Sequence, residues 1–264
     1  MASIGMVTNF LEGIAPLSLQ EEYDNAGLIT GSPDWEVEGV LCSLDCTPEV
    51  VEEAIDCQCN LIVSHHPIVF RGLKKLTGDS YVVRTLVQAI QNNIAIYAIH
   101  TNLDSVLKNG VNERIARVVG LDNYSILDPR DDDGVVGFGV VGELERPMNI
   151  SSFLHHIKNQ FGLEVIRYTP VGDIKKVQRI AVCGGSGSFL LPKAIEAGAD
   201  VLITSDFKYH QFFDAENRIV IMDIGHYESE KFTIQLLHEL ISNNFTNFAA
   251  QMTKVNTNPV RYFI

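Results

Sequence analysis

The sequence predicts an α/β protein of two pseudo-symmetric lobes, each a mixed sheet carrying a duplicated β-α-β unit. Three observations carry this expectation: a β-α-β pattern recurring at one fixed offset, polar residues gathered at the ends of apolar strands, and a composition able to fill a sizeable core. The first copy reads as a strand over 37–42, a helix through 52–56 and a buried strand over 60–64. The second repeats that order over 177–182, 193–196 and 200–204. Strand starts 37 and 177, strand starts 60 and 200, and helix positions 53 and 193 are all 140 residues apart. An ungapped register over a whole β-α-β stretch marks duplicated architecture.

Taken in order, residues 1–36 read as a short helix and an irregular segment. The first copy gains a strand over 94–99 that runs into His100, with Asp104 four residues on. Its counterpart over 219–225 runs into His226, with Glu230 four residues on. Phe232, Leu236, Leu237, Leu240 and Ile241 then recur at helical spacing, so a helix begins here and presents His226 and Glu230 on one face. In the first copy Thr101 to Asp104 reads as a turn. Between the copies, Asp131-Asp132-Asp133-Gly134 is a solvated turn. A strand over 135–141, a helix around 150–161 and a strand over 163–168 follow it, with no equal counterpart earlier. The expected division is a first lobe over 1–124 and a second over 125–264, with a C-terminal tail able to return to the first. Strand ends of both lobes would face a shared cleft, because open α/β sheets bind ligands at the carboxyl ends of their strands.

The chain has 264 residues, 46% of them hydrophobic, enough for one large core or two modest ones. Its net charge of -13 argues against a broad nucleic-acid surface, which needs clustered Lys and Arg. No apolar run approaches a membrane span, and the N-terminus lacks the pattern of a signal peptide. The five cysteines, Cys42, Cys46, Cys57, Cys59 and Cys183, form no paired CxxC set, so reduced thiols and a cytoplasmic location are expected.

Leu61-Ile62-Val63-Ser64-His65-His66-Pro67 ends an apolar strand in two imidazoles. Neighbours on a strand point to opposite faces, so a straight strand would bury one ring and expose the other. Two ring nitrogens leaving one strand end suit two metal ions better than one. Together His65, His66, Asp104, His226 and Glu230 give three imidazoles and two carboxylates at strand ends or first helical turns. That inventory suits two divalent ions bridged by Glu230; the competing reading is a set of polar groups capping sheet ends. His100 reads equally as an orienting partner, a proton shuttle or a plain strand-end histidine. His210, with Lys208 and Tyr209, reads as a substrate contact or a solvated loop. Asp206 takes the place that His66 has in the first copy. Cys183-Gly184-Gly185-Ser186-Gly187 lacks a Walker lysine and reads as a tight turn before a phosphate cradle. His155, His156 and His238 read as surface or packing residues.

The chain resembles the NIF-three-like proteins, also named GTP cyclohydrolase I type 2 homologues. The likeness runs through Tyr23-Asp24-Asn25-Ala26-Gly27-Leu28, Ser64-His65-His66-Pro67 and His100-Thr101-Asn102-Leu103-Asp104. It continues through Gly184-Gly185-Ser186-Gly187 and Gly225-His226-Tyr227-Glu228-Ser229-Glu230 to Thr257-Asn258-Pro259. The resemblance implies a two-lobed subunit with a dinuclear metal centre in the cleft, ligated by His65, His66, Asp104, His226 and a shared Glu230. It also implies a toroidal homohexamer with its sites facing an internal cavity. Two departures stand out: Ser205 where the family has Gly before the aspartate, and Ser105-Val106-Leu107-Lys108 delaying a Gly-rich turn to Gly110.

The function expected is a dinuclear metal-dependent hydrolase with metal-bound hydroxide as nucleophile, opening the GTP ring or cleaving a phosphoester. His100 or His210 would shuttle protons. The two ions would be Zn, Mn, Fe, Co or Ni, and the substrate a small molecule such as a nucleotide. A non-catalytic metal-binding scaffold or regulatory hexamer, acting through partners, is the alternative.

Overall fold

Apolar runs without polar alternation call for strands covered on both faces, and the protein builds two sheets around such runs. The computed structural model describes residues 2–172 and 174–263. In chain order the elements begin α1 (Ile4–Ile14), β1 (Gly27–Thr30), β2 (Gly39–Ser43), α2 (Pro48–Asp56), β3 (Leu61–Ser64), α3 (Tyr81–Gln91) and β4 (Ala95–Ala98). Next come α4 (Thr101–Ser105), α5 (Val111–Val119), β5 (Leu121–Pro129), β6 (Gly137–Asn149), α6 (Ile150–Phe161), β7 (Arg167–Tyr168) and β8 (Lys176–Ser186). The chain closes with α7 (Leu191–Glu196), β9 (Val201–Ser205), β10 (Val220–Asp223), α8 (His226–Glu230), α9 (Phe232–Asn244) and β11 (Ala249–Met252). The fold is mixed α/β with two sheets.

Two units emerge: Met1–Leu103 with Thr233–Pro259, and Asp104–Phe232 with Val260–Ile264. The first holds a sheet of order β1-β4-β3-β2-β11. β2, β3 and β4 run parallel, with Val40 beside Leu61 and Leu61 beside Ala95, and every residue in them is buried. Helices α2 and α3 cover them with Val50, Val51, Ala54, Leu86 and Ala89 against Leu41, Ile62 and Ile96. Both helices start where the sequence says: Pro48 pre-sets the first turn of α2, and Ser80 Oγ accepts from Val83 N at 3.3 Å to cap α3.

The second unit holds a sheet of order β5-β6-β8-β9-β10-β7. β8, β9 and β10 are parallel, with Ile180 beside Val201 and Val201 beside Val220; β5, β6 and β7 join antiparallel. Its core gathers Leu127, Val141, Ala181, Leu190, Leu202, Ile219 and Ile221. Each sheet thus carries three adjacent parallel strands in sequence order, and β3 and β9 begin at 61 and 201, the offset seen in the sequence.

Three differences from the sequence reading have physical reasons. The division falls inside α4, not at 124, because α5 packs on β8 and β6 in the second sheet. Residues 233–259 belong to the first unit, where β11 pairs with β2 from Ala249 beside Gly39 to Met252 beside Cys42. Thr101 to Ser105 is a helix rather than a turn, because a distant side chain caps it: Asp24 Oδ2 accepts from Thr101 N at 3.1 Å. Among the described residues no helix is long and apolar enough to cross a membrane.

Candidate functional site

In the first unit the parallel pairing runs two residues past β3. His65 N donates to Ser43 O at 3.2 Å and His66 N to Leu44 O at 2.9 Å, and Pro67 has no N–H with which to continue. The two rings do not take opposite faces. They sit 4.9 Å apart, each about 5 Å from His100, at 5.2 and 5.3 Å between centroids. One ring nitrogen from each of the three lies within 4.8 Å of the others, close enough to serve one ion.

The other ring nitrogen of each is held from behind. His65 Nδ1 meets Ile99 O at 2.8 Å, His66 Nδ1 meets Asp45 Oδ1 at 2.8 Å, and His100 Nδ1 meets Asp24 Oδ1 at 2.8 Å. A carbonyl and two carboxylates can only accept, so Nδ1 carries a hydrogen in all three rings, and in the neutral form of each ring Nε2 is the nitrogen with the lone pair. Asp24 also accepts from Asn25 N at 2.7 Å and Thr101 Oγ1 at 2.5 Å. Burial alone would raise its carboxyl; these hydrogen bonds and the positive potential from His100 outweigh that and bring it down to about 2. Asp45 is fixed in turn by Thr257 Oγ1, which donates to it at 2.5 Å.

The second unit builds a set of its own. His226 and Glu230 open and close α8, one turn apart, with Nε2 3.1 Å from Glu230 Oε2. His226 Nδ1 lies 2.6 Å from Asp206 Oδ2. Asp206 adopts left-handed backbone, φ 60, which turns its carboxylate back onto that ring; Ser186 Oγ donates to the same oxygen. Burial would lower the His226 pKa, but the Asp206 and Glu230 carboxylates raise it to about 11. Asp104, on α4, brings a carboxylate oxygen within 4.8 Å of one of Glu230. Cys183 is buried, and that burial together with Asp104 and Glu230 pushes its thiol far up, which keeps it inert as a nucleophile.

Gly184 and Gly185 do not cradle a phosphate with their amides. Gly184 N donates to Asn112 Oδ1 at 2.9 Å and Gly185 N to Ser229 Oγ at 3.0 Å, so both are occupied within the protein. Gly185 is required here: at φ 60 its missing Cβ leaves room for the Glu230 carboxylate. His210 lies on a 3-10 segment, Tyr209–Ala215, where its ring meets Tyr209 at 5.1 Å and Phe213 at 6.4 Å. His156 bonds Val119 O at 2.9 Å, His155 bonds Ser151 O at 2.8 Å, and His238 bonds Ser242 Oγ at 3.3 Å, all structural roles.

Sequence reasoning missed Asp24, Asp45 and Asp206 as the groups that hold the histidines. Asp24 lies within a quoted motif, which was the available signal; Asp45 sits two residues after β2 with nothing to mark it.

A sequence model of the family Duf34/NIF3 (NGG1p interacting factor 3) matches residues 2–259. A Clostridium acetobutylicum protein named GTP cyclohydrolase 1 type 2 homolog is 39% identical over 225 residues, spanning 84% of this chain and 83% of its own length. A Campylobacter jejuni protein of the same name is 32% identical over 262 residues, spanning 97% and 98%. The crystal structure of a Staphylococcus aureus hypothetical protein superposes with a TM-score of 0.91 at 32% identity, covering 99% of each chain. With its two mixed sheets and a family match over nearly its whole length, the chain belongs to the Duf34/NIF3 family.

Proposed function

We propose that the protein is a dinuclear metal-dependent hydrolase. The observation that carries this reading is the back-side holding of four imidazoles, by Ile99 O, Asp45, Asp24 and Asp206. Histidines that ligate metals have the second ring nitrogen fixed in this way. The donor set fits: imidazoles and carboxylates suit Zn, Mn, Fe, Co or Ni, and no thiolate competes, since burial keeps Cys183 protonated. In this reading His65, His66, Asp104, His226 and Glu230 hold the ions, with Glu230 shared. When bound, the ions supply Lewis acidity and lower the pKa of a water.

The rest falls to the chain's own groups. Asp24 stays ionised and keeps a hydrogen on His100 Nδ1, leaving Nε2 to take a proton from the attacking water and deliver it to the leaving group. Asp45 and Asp206 fix the ring planes of His66 and His226. His210 serves as a second proton carrier or a substrate contact. The name shared by the curated relatives suggests the bond attacked: the guanine ring of GTP, with a phosphoester as the other candidate. The reading extends to a cytoplasmic, toroidal homohexamer, which light scattering on the purified protein tests.

The test of the enzyme is a screen of nucleotides and phosphoesters with each metal. His66→Ala and Glu230→Ala should abolish turnover with the circular dichroism unchanged. Full metal content without turnover on any substrate would instead point to a scaffold acting through partners.

A further inference from the structure

We propose that Arg71, Lys74 and Lys75 form a strap that grips phosphate groups of the substrate, which makes the substrate a phosphorylated, nucleotide-like anion. The turnover part of this inference rests on the hydrolase reading; the binding part rests on the strap alone.

Residues 67–80 run directly from His66 to α3 without helix or strand. The near end of this segment is pinned beside the histidines. Asn25 Nδ2 donates to Val69 O at 2.7 Å, and Asn25 follows the Asp24 that holds His100. The Phe70 ring stands edge-on to His100 with centroids 5.6 Å apart. Arg71 is the next residue, one Cα step of about 3.8 Å away. The exposed, basic part of the strap therefore begins at the residue that follows the ring packed on His100.

Beyond that pin the strap is open. Every residue from Arg71 to Leu76 is exposed. Three of those six are cations, in a chain whose net charge is -13. Some basic groups elsewhere are matched to carboxylates, as in Arg117–Glu113, Arg179–Glu143, Lys193–Asp128 and Arg218–Glu216. Arg71, Lys74 and Lys75 enter no ion pair among the described residues. An unmatched basic run placed against donors for cations attracts an anion that bears several charges, and Arg and Lys are the side chains that bind phosphate oxygens best. Leu73 and Leu76, 40% and 59% exposed, add apolar surface for the uncharged part of such a ligand.

Inorganic tripolyphosphate is the probe, titrated calorimetrically into the full chain as wild type, R71A/K74A/K75A and E230Q, at low and high salt. The wild type should bind it and lose affinity as salt rises. The triple variant should bind about tenfold more weakly or worse, with metal content and circular dichroism unchanged. E230Q should lose metal yet keep the salt-sensitive binding. Absence of tripolyphosphate binding in the wild type, or equal affinity in the triple variant, overturns the strap. Unaltered metal content in E230Q, with the triple variant still impaired, overturns the ligand assignment and leaves the strap standing.

Discussion

Asp24→Asn removes one charge from the centre of the hydrogen-bonded frame behind His100. Oδ1 accepts from His100 Nδ1 and Asn25 N, and Oδ2 from Thr101 N and Thr101 Oγ1. The side chain is 0% exposed, so solvent does not dilute these contacts. A carboxyl held at about 2 rather than 3.8 corresponds to about 2 kcal/mol of native-state preference for the charged form. Asparagine keeps one acceptor oxygen and must turn its NH2 toward one donor pair, leaving a buried N–H facing another donor at a cost of about 1–3 kcal/mol. We expect a loss of about 2–3 kcal/mol near neutral pH, read by urea unfolding. Because the folded pKa lies below the unfolded one, the wild-type advantage is complete above about pH 4 and disappears as pH falls through about 2. The gap between wild type and variant should therefore narrow from about pH 4 downward. A loss below about 0.5 kcal/mol, or a gap of constant size down to about pH 2, refutes the reasoning.

Asp206→Asn should free the His226 ring and weaken Zn or Mn binding by about 10–100-fold, measured calorimetrically; an unchanged affinity contradicts its role. Gly185→Ala places a methyl against the Glu230 carboxylate on left-handed backbone and should cost about 1–3 kcal/mol in thermal or urea unfolding. Burial pushes Cys46 and Cys59 up to about 12 and raises Cys42 and Cys183 as well, while Cys57 is partly exposed. Ellman's reagent should then titrate Cys57 quickly and the other four only on unfolding.

The parallel cores were legible because β3 and β9 are unbroken apolar runs ended abruptly by polar residues, a pattern that only doubly covered strands permit. The same feature exposed His65, His66 and the His226–Glu230 pair, whose four-residue spacing is a helical turn. Partners that no local pattern encodes stayed hidden. Asp24 reaches His100 across 76 residues and Thr257 reaches Asp45 across 212, and neither periodicity nor spacing records such a bond. The helix at Thr101 was missed for the same reason, since its cap is Asp24. The return of β11 to β2 was only half legible, because a four-residue strand with three exposed members carries little apolar signal.

Metal stoichiometry by elemental analysis, paired with anomalous diffraction from crystals grown with Mn or Zn, tests the central claim most directly. The account predicts two ions per chain, with Nε2 rather than Nδ1 of His65, His66 and His226 at about 2.0–2.2 Å. Retention of no ion, or coordination through Nδ1 with the bonds to Ile99, Asp45 and Asp206 broken, would contradict it.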